Sequence, residues 1–367
     1  MLTATGVEGY SPTALTDAVP GLPGIRQAVD AVLAEFLAAK RRSATPDLRE
    51  LIDILEGFLS AGGKRIRPVM CICGWYASGG RGEPGPVVRA AASLELFHAF
   101  ALIHDDLMDN SHIRRGRPTV HRLLADRHRS QGGSGNADRF GMNAAVLLGD
   151  FALALSDELL HTGLTPIQLR AALPVIDAMR TEVMFGQYRD LLGTGRPTAG
   201  VAHALELIRY KTAKYTVERP LHLGGTLAGC DTAATDALTA YPLPVGEAFQ
   251  LRDDLLGAFG DPAKPGKPVT DDFREGKCTV LMALAVVRAT SAQLRALHEL
   301  VGRSGLTEEQ ADSIRIVLED TGARLAVERM IARRCRRALA ALDRAPFPEP
   351  ATTALRHLAY ATSVRTS

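Results

Sequence analysis

Apolar residues recur along this chain at the three-and-four spacing that places them on one face of an α-helix. Ile25, Val29, Val32 and Phe36, with Leu33 and Leu37, predict a helix from 21 to about 42. Leu48, Leu51, Ile52, Leu55 and Leu59 predict a second over 46–60. A central helix from about 87 to 109 carries Leu94, Phe97, Ala101 and Ile103. Further helices are expected over 142–162 and 166–191, then over 201–229 with a break at Pro220. Another follows Pro242 and Pro244, and the chain finishes with helices near 278–302, 307–320, 321–343 and 350–363. Residues 79–86 read as a loop, 127–141 as a flexible surface loop rich in Gly and Ser, and the proline-rich 260–268 as non-helical. Residues 1–20 hold turn formers without periodicity and read as a flexible tail. No alternating strand pattern and no repeat of 20–50 residues stands out. The expectation is an all-α protein with one helical domain over 21–367.

Composition narrows the class. The chain has 367 residues, 46% hydrophobic and 23% charged, which is ordinary for a globular protein. A net charge of +2 provides no basic face for nucleic acid. The N-terminus lacks the basic start and apolar core of a signal peptide. No apolar run approaches the length of a membrane span, because Asp150 and Asp157 interrupt the best one. The five cysteines show no paired zinc spacing, and their odd number fits a reducing, cytoplasmic location. Only seven of the 43 basic residues are lysine, and six of these fall in three short stretches: Lys64, Lys211 with Lys214, and Lys264, Lys267 and Lys277. Lysine is a compact point charge suited to phosphate where the planar fork of arginine does not fit.

Charge changes the picture most at the end of the central helix, Asp105-Asp106-Leu107-Met108-Asp109. Asp105 and Asp109 lie about 40° apart around a helix axis and share a face, whereas Asp106 sits on the adjacent one. Three acids after an apolar run are costly unless cations face them. A hard oxygen-loving divalent ion, Mg²⁺ first, is the natural partner, although a solvated helix end with surface ion pairs would look the same. Arg114, Arg115 and Arg117 follow, and guanidinium forks suit phosphate oxygens. A second acid pair, Asp253-Asp254, lies at another helix end about 150 residues later. Ala61-Gly62-Gly63-Lys64-Arg65-Ile66-Arg67 is a glycine turn opening a basic helix start, an anion site or merely an exposed basic turn. Gln187 and Asp190 point inward from their helix or form a structural pair. Opposed carboxylates holding Mg²⁺, with lysines and arginines around them, suit diphosphate as a leaving group.

In this order, GGKRIRP at 62–68, DDLMD with RRGRPTVH after it, Lys211-Thr212, and FQLRDD followed by GD, GK and EGK resemble the trans-polyprenyl diphosphate synthases over roughly 30–345. The resemblance implies an antiparallel helical bundle around a central cavity, the isoprenoid synthase fold, and a homodimer. It implies Mg²⁺-dependent head-to-tail condensation of isopentenyl diphosphate with an allylic diphosphate, the departing diphosphate taking the proton. By the same resemblance Asp105, Asp109 and Asp253 match metal ligands, and Asp106, Asp254 and Lys211 belong to the catalytic set. Lys64, Arg67, His98 and Arg115 match the isopentenyl diphosphate site. Arg114, Lys211, Thr212, Gln250, Lys267 and Lys277 match the allylic diphosphate site. Phe100, five residues before Asp105, with Ala101 and Phe97, would set the depth of the tail pocket about 7.5–12 Å from the acids. That pattern is most like geranylgeranyl diphosphate synthases, with farnesyl and longer-chain synthases as alternatives. One position departs: the second motif ends in Gly257 where a third acid is usual, leaving Asp261 or Asp271 to compensate. A class I terpene cyclase would not need the GGKRIRP site, and a non-catalytic subunit would lose an acid or basic motif.

Overall fold

The computed structural model describes residues 21–195, 197–198, 200–260 and 270–363. The described residues are almost wholly helical. In order come α1 (Leu22–Ser43), α2 (Pro46–Ser60), α3 (Ile66–Ala77) and α4 (Gly85–Met108). A two-stranded hairpin, β1 (Ile113–Arg114) and β2 (Arg117–Pro118), leads to α5 (Val120–Ser130), α6 (Ala137–Gly163) and α7 (Pro166–Gly193). Then α8 (Val201–Leu207) passes into a π-helical segment, Ile208–Glu218, and on into α9 (Arg219–Ala228). The rest are α10 (Thr232–Ala240), α11 (Pro242–Phe259), α12 (Asp271–Glu275), α13 (Val280–Arg288), α14 (Ser291–Leu300), α15 (Glu308–Asp320), α16 (Ala323–Leu342) and α17 (Glu349–Ser363). The all-α expectation holds.

Several boundaries moved, each for a local reason. The surface loop expected over 127–141 shrinks to six residues, because α5 runs on to Ser130 and Asn136 caps α6 by accepting from the Arg139 N–H at 2.9 Å. Pro220 makes no break. It sits in the first turn of α9, directly after the π segment, where a missing N–H does least harm. The helix expected near 278–302 divides where Thr290 and Gln293 form a capping box. The hairpin was not expected at all. Its two-residue turn, Arg115-Gly116, has positive φ at both positions, 53° and 73°, as a type I′ turn requires. Arginine is a poor residue there, so the usual Asn-Gly signal was missing.

Helix α4 is buried on nearly every face, from Val87 through Ala90, Leu94, Phe97 and Ile103 to Asp106, which marks a central helix. Contrary to the expectation from apolar runs, it is one helix long and apolar enough to cross a membrane, but it is mostly packed inside the protein. Ser156 of α6 donates to the Ser93 carbonyl at 2.8 Å, tying α6 along it. The core falls into two clusters. One gathers α1 to α7, α9 and α17; the other gathers α8, the C-terminal half of α11, and α13 to α16. Helices α11 and α16 contribute to both. Each fully buried Leu or Ile in them contributes roughly 1.5–3 kcal/mol. Helices α3 and α9 cross backbone to backbone at Gly74 and Gly224: a Cβ on Gly224 would stand 1.8 Å from the Cys71 carbonyl oxygen. That crossing sets Arg67, at the start of α3, beside the π segment. The five cysteines are free.

Candidate active site

The first acid motif closes α4, with Asp109 as its capping residue. Its three acids go three ways, as helical spacing requires. Asp106 turns inward, 1% exposed, and Arg114 clamps it: Nε donates to both carboxylate oxygens at 2.8 and 2.7 Å, and Nη2 lies 2.7 Å from Oδ1. Asp105 accepts from Lys211 Nζ at 3.0 Å, and the same ammonium donates to Asp190 at 2.7 Å. Asp109 faces Lys277 Nζ at 3.1 Å, which also meets Glu275 at 3.0 Å. Asp190 therefore does point inward, whereas Gln187 lies 3.9 Å from the Met108 sulfur.

The electrostatics follow from crowding in a low-dielectric place. Burial raises the Asp105 carboxyl, but Lys211, Lys277 and Arg114 overcome it and hold it down at about 2. At Asp109 burial wins, helped by repulsion from Asp105, and the carboxyl sits above its ordinary value. Burial works against the charge on Lys211 and Lys277, yet the acids around them keep both ammoniums charged.

A cationic pocket lies beside this. Arg65 takes left-handed backbone, φ 48°, at the entry to α3 and points back into the protein. There it bonds Glu95 at 2.8 Å, Asp30 at 2.9 Å and the Leu59 carbonyl at 2.8 Å. That anchor holds the glycine turn, leaving Lys64 exposed and Arg67 half-buried. The Arg67 Nη2 donates to Thr216 Oγ1 at 2.8 Å, and its guanidinium lies 4.1 Å from the centre of the Tyr215 ring. The Tyr215 hydroxyl meets His98 Nδ1 at 3.2 Å. Burial, then Arg67, Arg114, Arg115 and Arg65, push the imidazole well below its ordinary value, so it is neutral near pH 7. Arg115, at the hairpin tip, bonds the Gly62 carbonyl. Arg67 and His98 are thus joined through Tyr215, Arg115 reaches the glycine turn, and Lys64 stands exposed on that turn.

The second acid motif rides on α11. Asp254 is 8% exposed and accepts from Gln250 Nε2 at 2.8 Å, while Gln250 Oε1 accepts from Thr212 at 2.8 Å. Burial first, then Asp272 and Asp253, push the Asp254 carboxyl up to about 8, with the Gln250 bond working the other way. Of the acids expected to compensate for Gly257, Asp271 pairs with Arg274 at 3.3 Å, and Asp261 lies outside the described residues with Lys264 and Lys267. The neighbour of Gly257 is Asp272. Lys214, which no motif claimed, pairs with Glu182 beside Arg219.

Among the described residues no three acids, histidines or cysteines converge into a closed metal cage. The donor set nevertheless fits a hard divalent cation. It is all carboxylate, split between the end of α4 and a position about two turns before the end of α11, inside the helix and not at the helix end that the sequence suggested. Asp254, buried and bonded to a neutral amide, has its charged form disfavoured by burial and by the neighbouring acids in spite of Lys277, and a divalent cation would offset that. On the α4 turns before the acids, Phe97 is 1% exposed, its ring 5.4 Å from Phe100 and 5.8 Å from Tyr215. Phe100 is half-buried with its ring 4.7 Å from His104, and Ala101 beside it is also half-buried.

The π segment was the main omission from the sequence. Its wider turn sends Lys211 to the acids, Thr212 to Gln250, and Tyr215 and Thr216 to the cationic pocket, and such segments are frequent at functional sites. The i, i+4 spacing of Lys211 and Tyr215 was the available signal. Nothing local marked Arg65 with Glu95.

A helical bundle that sets acids of α4 and α11 beside lysines, with an arginine pocket next to them, defines a class of protein suited to anions. The chain belongs to the polyprenyl synthetase family, whose model matches residues 49–318, and that family consists of prenyltransferases. It is 30% identical to a geranylfarnesyl diphosphate synthase from Aeropyrum pernix over 80% of this chain and 85% of the relative. It is 32% identical to a farnesyl diphosphate synthase from Geobacillus stearothermophilus over 68% of this chain and 84% of the relative. A geranylgeranyl pyrophosphate synthase from Corynebacterium glutamicum, crystallised with isoprenyl diphosphate and magnesium, superposes with a TM-score of 0.88 at 38% identity, covering 94% of this chain and 99% of that one. The relatives differ in the chain length they are named for.

Proposed function

We propose that this enzyme condenses isopentenyl diphosphate head-to-tail with an allylic diphosphate and releases an all-trans prenyl diphosphate of twenty carbons. The observation that carries the reading is the pairing of two anion pockets. Lys211 and Arg114 reach Asp105 and Lys277 reaches Asp109, while Arg67 and His98 meet at Tyr215 and Arg115 bonds the glycine turn. Asp105, Asp109 and Asp253 would hold Mg²⁺, which when bound stabilises the negative charge that develops on the leaving diphosphate.

The chain's own residues do the rest. Lys211, Thr212, Gln250 and Lys277 orient the allylic diphosphate, and Arg114, braced by Asp106, turns the remainder of its fork toward it. Lys64, Arg67, His98 and Arg115 hold isopentenyl diphosphate. As the allylic carbon–oxygen bond breaks, the double bond of isopentenyl diphosphate attacks the allylic carbon and forms the new carbon–carbon bond. The proton lost from isopentenyl diphosphate passes to the released diphosphate. Burial and the surrounding arginines hold the His98 imidazole well below its ordinary value, which makes it a weak proton acceptor beside the diphosphate. Phe97 and Phe100 wall the apolar space for the tail and keep water from the cation, and half-buried Phe100 with small Ala101 favours a twenty-carbon product over farnesyl. We place the enzyme in the cytoplasm as a homodimer, in keeping with exposed Phe140, Val146 and Leu147 on α6. Light scattering against the 39.3 kDa chain mass tests the dimer.

Incubation with isopentenyl diphosphate, Mg²⁺ and each allylic primer in turn tests the function, with products separated by chromatography. Elongation to twenty carbons is expected. No elongation with any primer overturns the reading in favour of a non-catalytic subunit, and cyclic hydrocarbon from a primer alone overturns it in favour of a cyclase.

A further inference from the structure

A cavity of about 280 Å³ lies outside the acid motifs, between α2, the hairpin and α5. Ile54, Gly57 and Phe58 face it from α2, and Val120, Leu123 and Arg127 from α5, each set at the spacing of one helix face. Its volume is at the small end of the range for ligand pockets. It touches the site described above only at Arg114 and Arg115: the acids of both motifs, Lys211, Arg67 and His98 are not in its walls. Gly57 stands inside α2, where glycine is disfavoured unless another group approaches closely. No group does so here, because a Cβ on Gly57 would meet nothing within 4 Å. What the missing side chain provides is open volume in the cavity.

The charge around that volume is one-sided. Four arginines line the cavity against a single acid, Asp53, which pairs with Arg41 at 2.9 Å. Arg114 is held by Asp106, and Arg127 bonds Glu50 at 3.0 Å. Two guanidiniums remain without a carboxylate among the described residues: Arg115, which bonds the Gly62 carbonyl, and exposed Arg117. Burial first, then the like charge of Arg114, lowers the Arg115 guanidinium from its ordinary value, as expected where cations outnumber anions. Along α2 the cavity is bracketed, with Arg127 tied to Glu50 one turn before it and Arg115 tied to the glycine turn just after it.

We propose that this cavity is a second ligand site, which takes a small phosphate or diphosphate ester carrying a short hydrocarbon chain. The anionic group lies between Arg115 and Arg117, whose forks suit phosphate oxygens. The chain fills the space over Gly57, against Ile54, Phe58, Val120 and Leu123, where its apolar surface leaves water. Arg115 is shared with the isopentenyl diphosphate site proposed above. The binding itself does not depend on that reaction, and a chain inactive in condensation would still show it.

Isothermal titration of the full chain with n-octyl phosphate tests the site. Gly57→Leu fills the cavity, and leucine suits a helix interior better than glycine, so α2 is kept while binding should weaken at least tenfold. Arg117→Gln removes an exposed charge that the proposed reaction does not use, and should weaken binding roughly tenfold, the effect of losing a charge-assisted hydrogen bond. Lys211→Gln combined with Arg67→Gln disables the two anion pockets of the proposed reaction and should leave the binding in place. No binding by the wild type overturns the inference, as does binding that Gly57→Leu leaves unchanged or that only the Lys211→Gln, Arg67→Gln chain loses. Inorganic phosphate binding as tightly as n-octyl phosphate also overturns it, since the hydrocarbon would then contribute nothing.

Discussion

Tyr215 joins two residues that sequence spacing kept apart: its hydroxyl meets His98, and its ring lies under the Arg67 guanidinium. Burial pushes its phenol up to about 12, so it stays protonated. Tyr215→Phe removes one hydrogen bond and leaves the ring and the Arg67–Thr216 bond in place. A bond of this kind is worth about 1 kcal/mol net, so KM for isopentenyl diphosphate should rise roughly fivefold with little change in kcat, as steady-state kinetics will show. Phe100 acts through bulk. Phe100→Ala deepens the tail space by about a ring and should lengthen the products seen by chromatography; an unchanged distribution would remove Phe100 from the role of floor. Asp106 shows the value of seeing the residue in place. Sequence spacing put it on a different helix face from Asp105 and Asp109, and the structure shows the consequence, a buried brace for Arg114.

At the scale of elements, the crossing of α3 and α9 holds the cationic pocket in register. Gly224→Ala would drive a methyl group into the Cys71 carbonyl of α3. Overpacking of backbone against backbone leaves no side chain to move aside, so the variant should lose about 3 kcal/mol or more, measurable by chemical denaturation. Further along α9, His222 meets Thr239 of α10 at 3.0 Å and Arg219 at 3.3 Å. Burial, then the charge of Arg219, lowers its imidazole to about 4. The unfolded chain therefore takes up a proton near pH 6.5 that the folded chain refuses until about pH 4. Stability should fall as pH drops across that window and be insensitive to this residue above it. Thermal unfolding of His222→Gln against the wild type should show a flatter dependence between pH 6.5 and 4.

The two acid motifs belong to different parts of the core. Asp105 ends α4, inside the first cluster, and Asp254 is flanked on α11 by Leu251 and Leu255, inside the second. A ligand that bridges them ties the clusters together. Pyrophosphate with Mg²⁺ at a hundred times the dissociation constant should add about 2.7 kcal/mol, raising the thermal midpoint by several degrees in scanning fluorimetry, with either component alone doing much less. Equal shifts from pyrophosphate alone would mean that the lysines and arginines suffice without a bridging metal. The arrangement of the whole also explains what was legible beforehand. Helix positions followed from apolar spacing because each helix buries one face, and the acid motifs stood out because charge at the end of an apolar run is costly. The hairpin, the π segment and the Arg65–Glu95 anchor were illegible because each contradicts or lies outside local preference and is held by distant contacts.

By itself the sequence determined the helical class and the family, and it supplied most of the charged residues proposed for the site, since motif order and helical period are properties of the chain read locally. Tertiary structure alone decided which acid is presented and which is a brace. It also decided how Arg67 finds Thr216 across 149 residues and Lys211 finds Asp105 across 106. The same holds for Asp272, which lies against Gly257 because α12 folds back onto α11. Such pairings depend on which surfaces pack together, and no spacing along one helix encodes them.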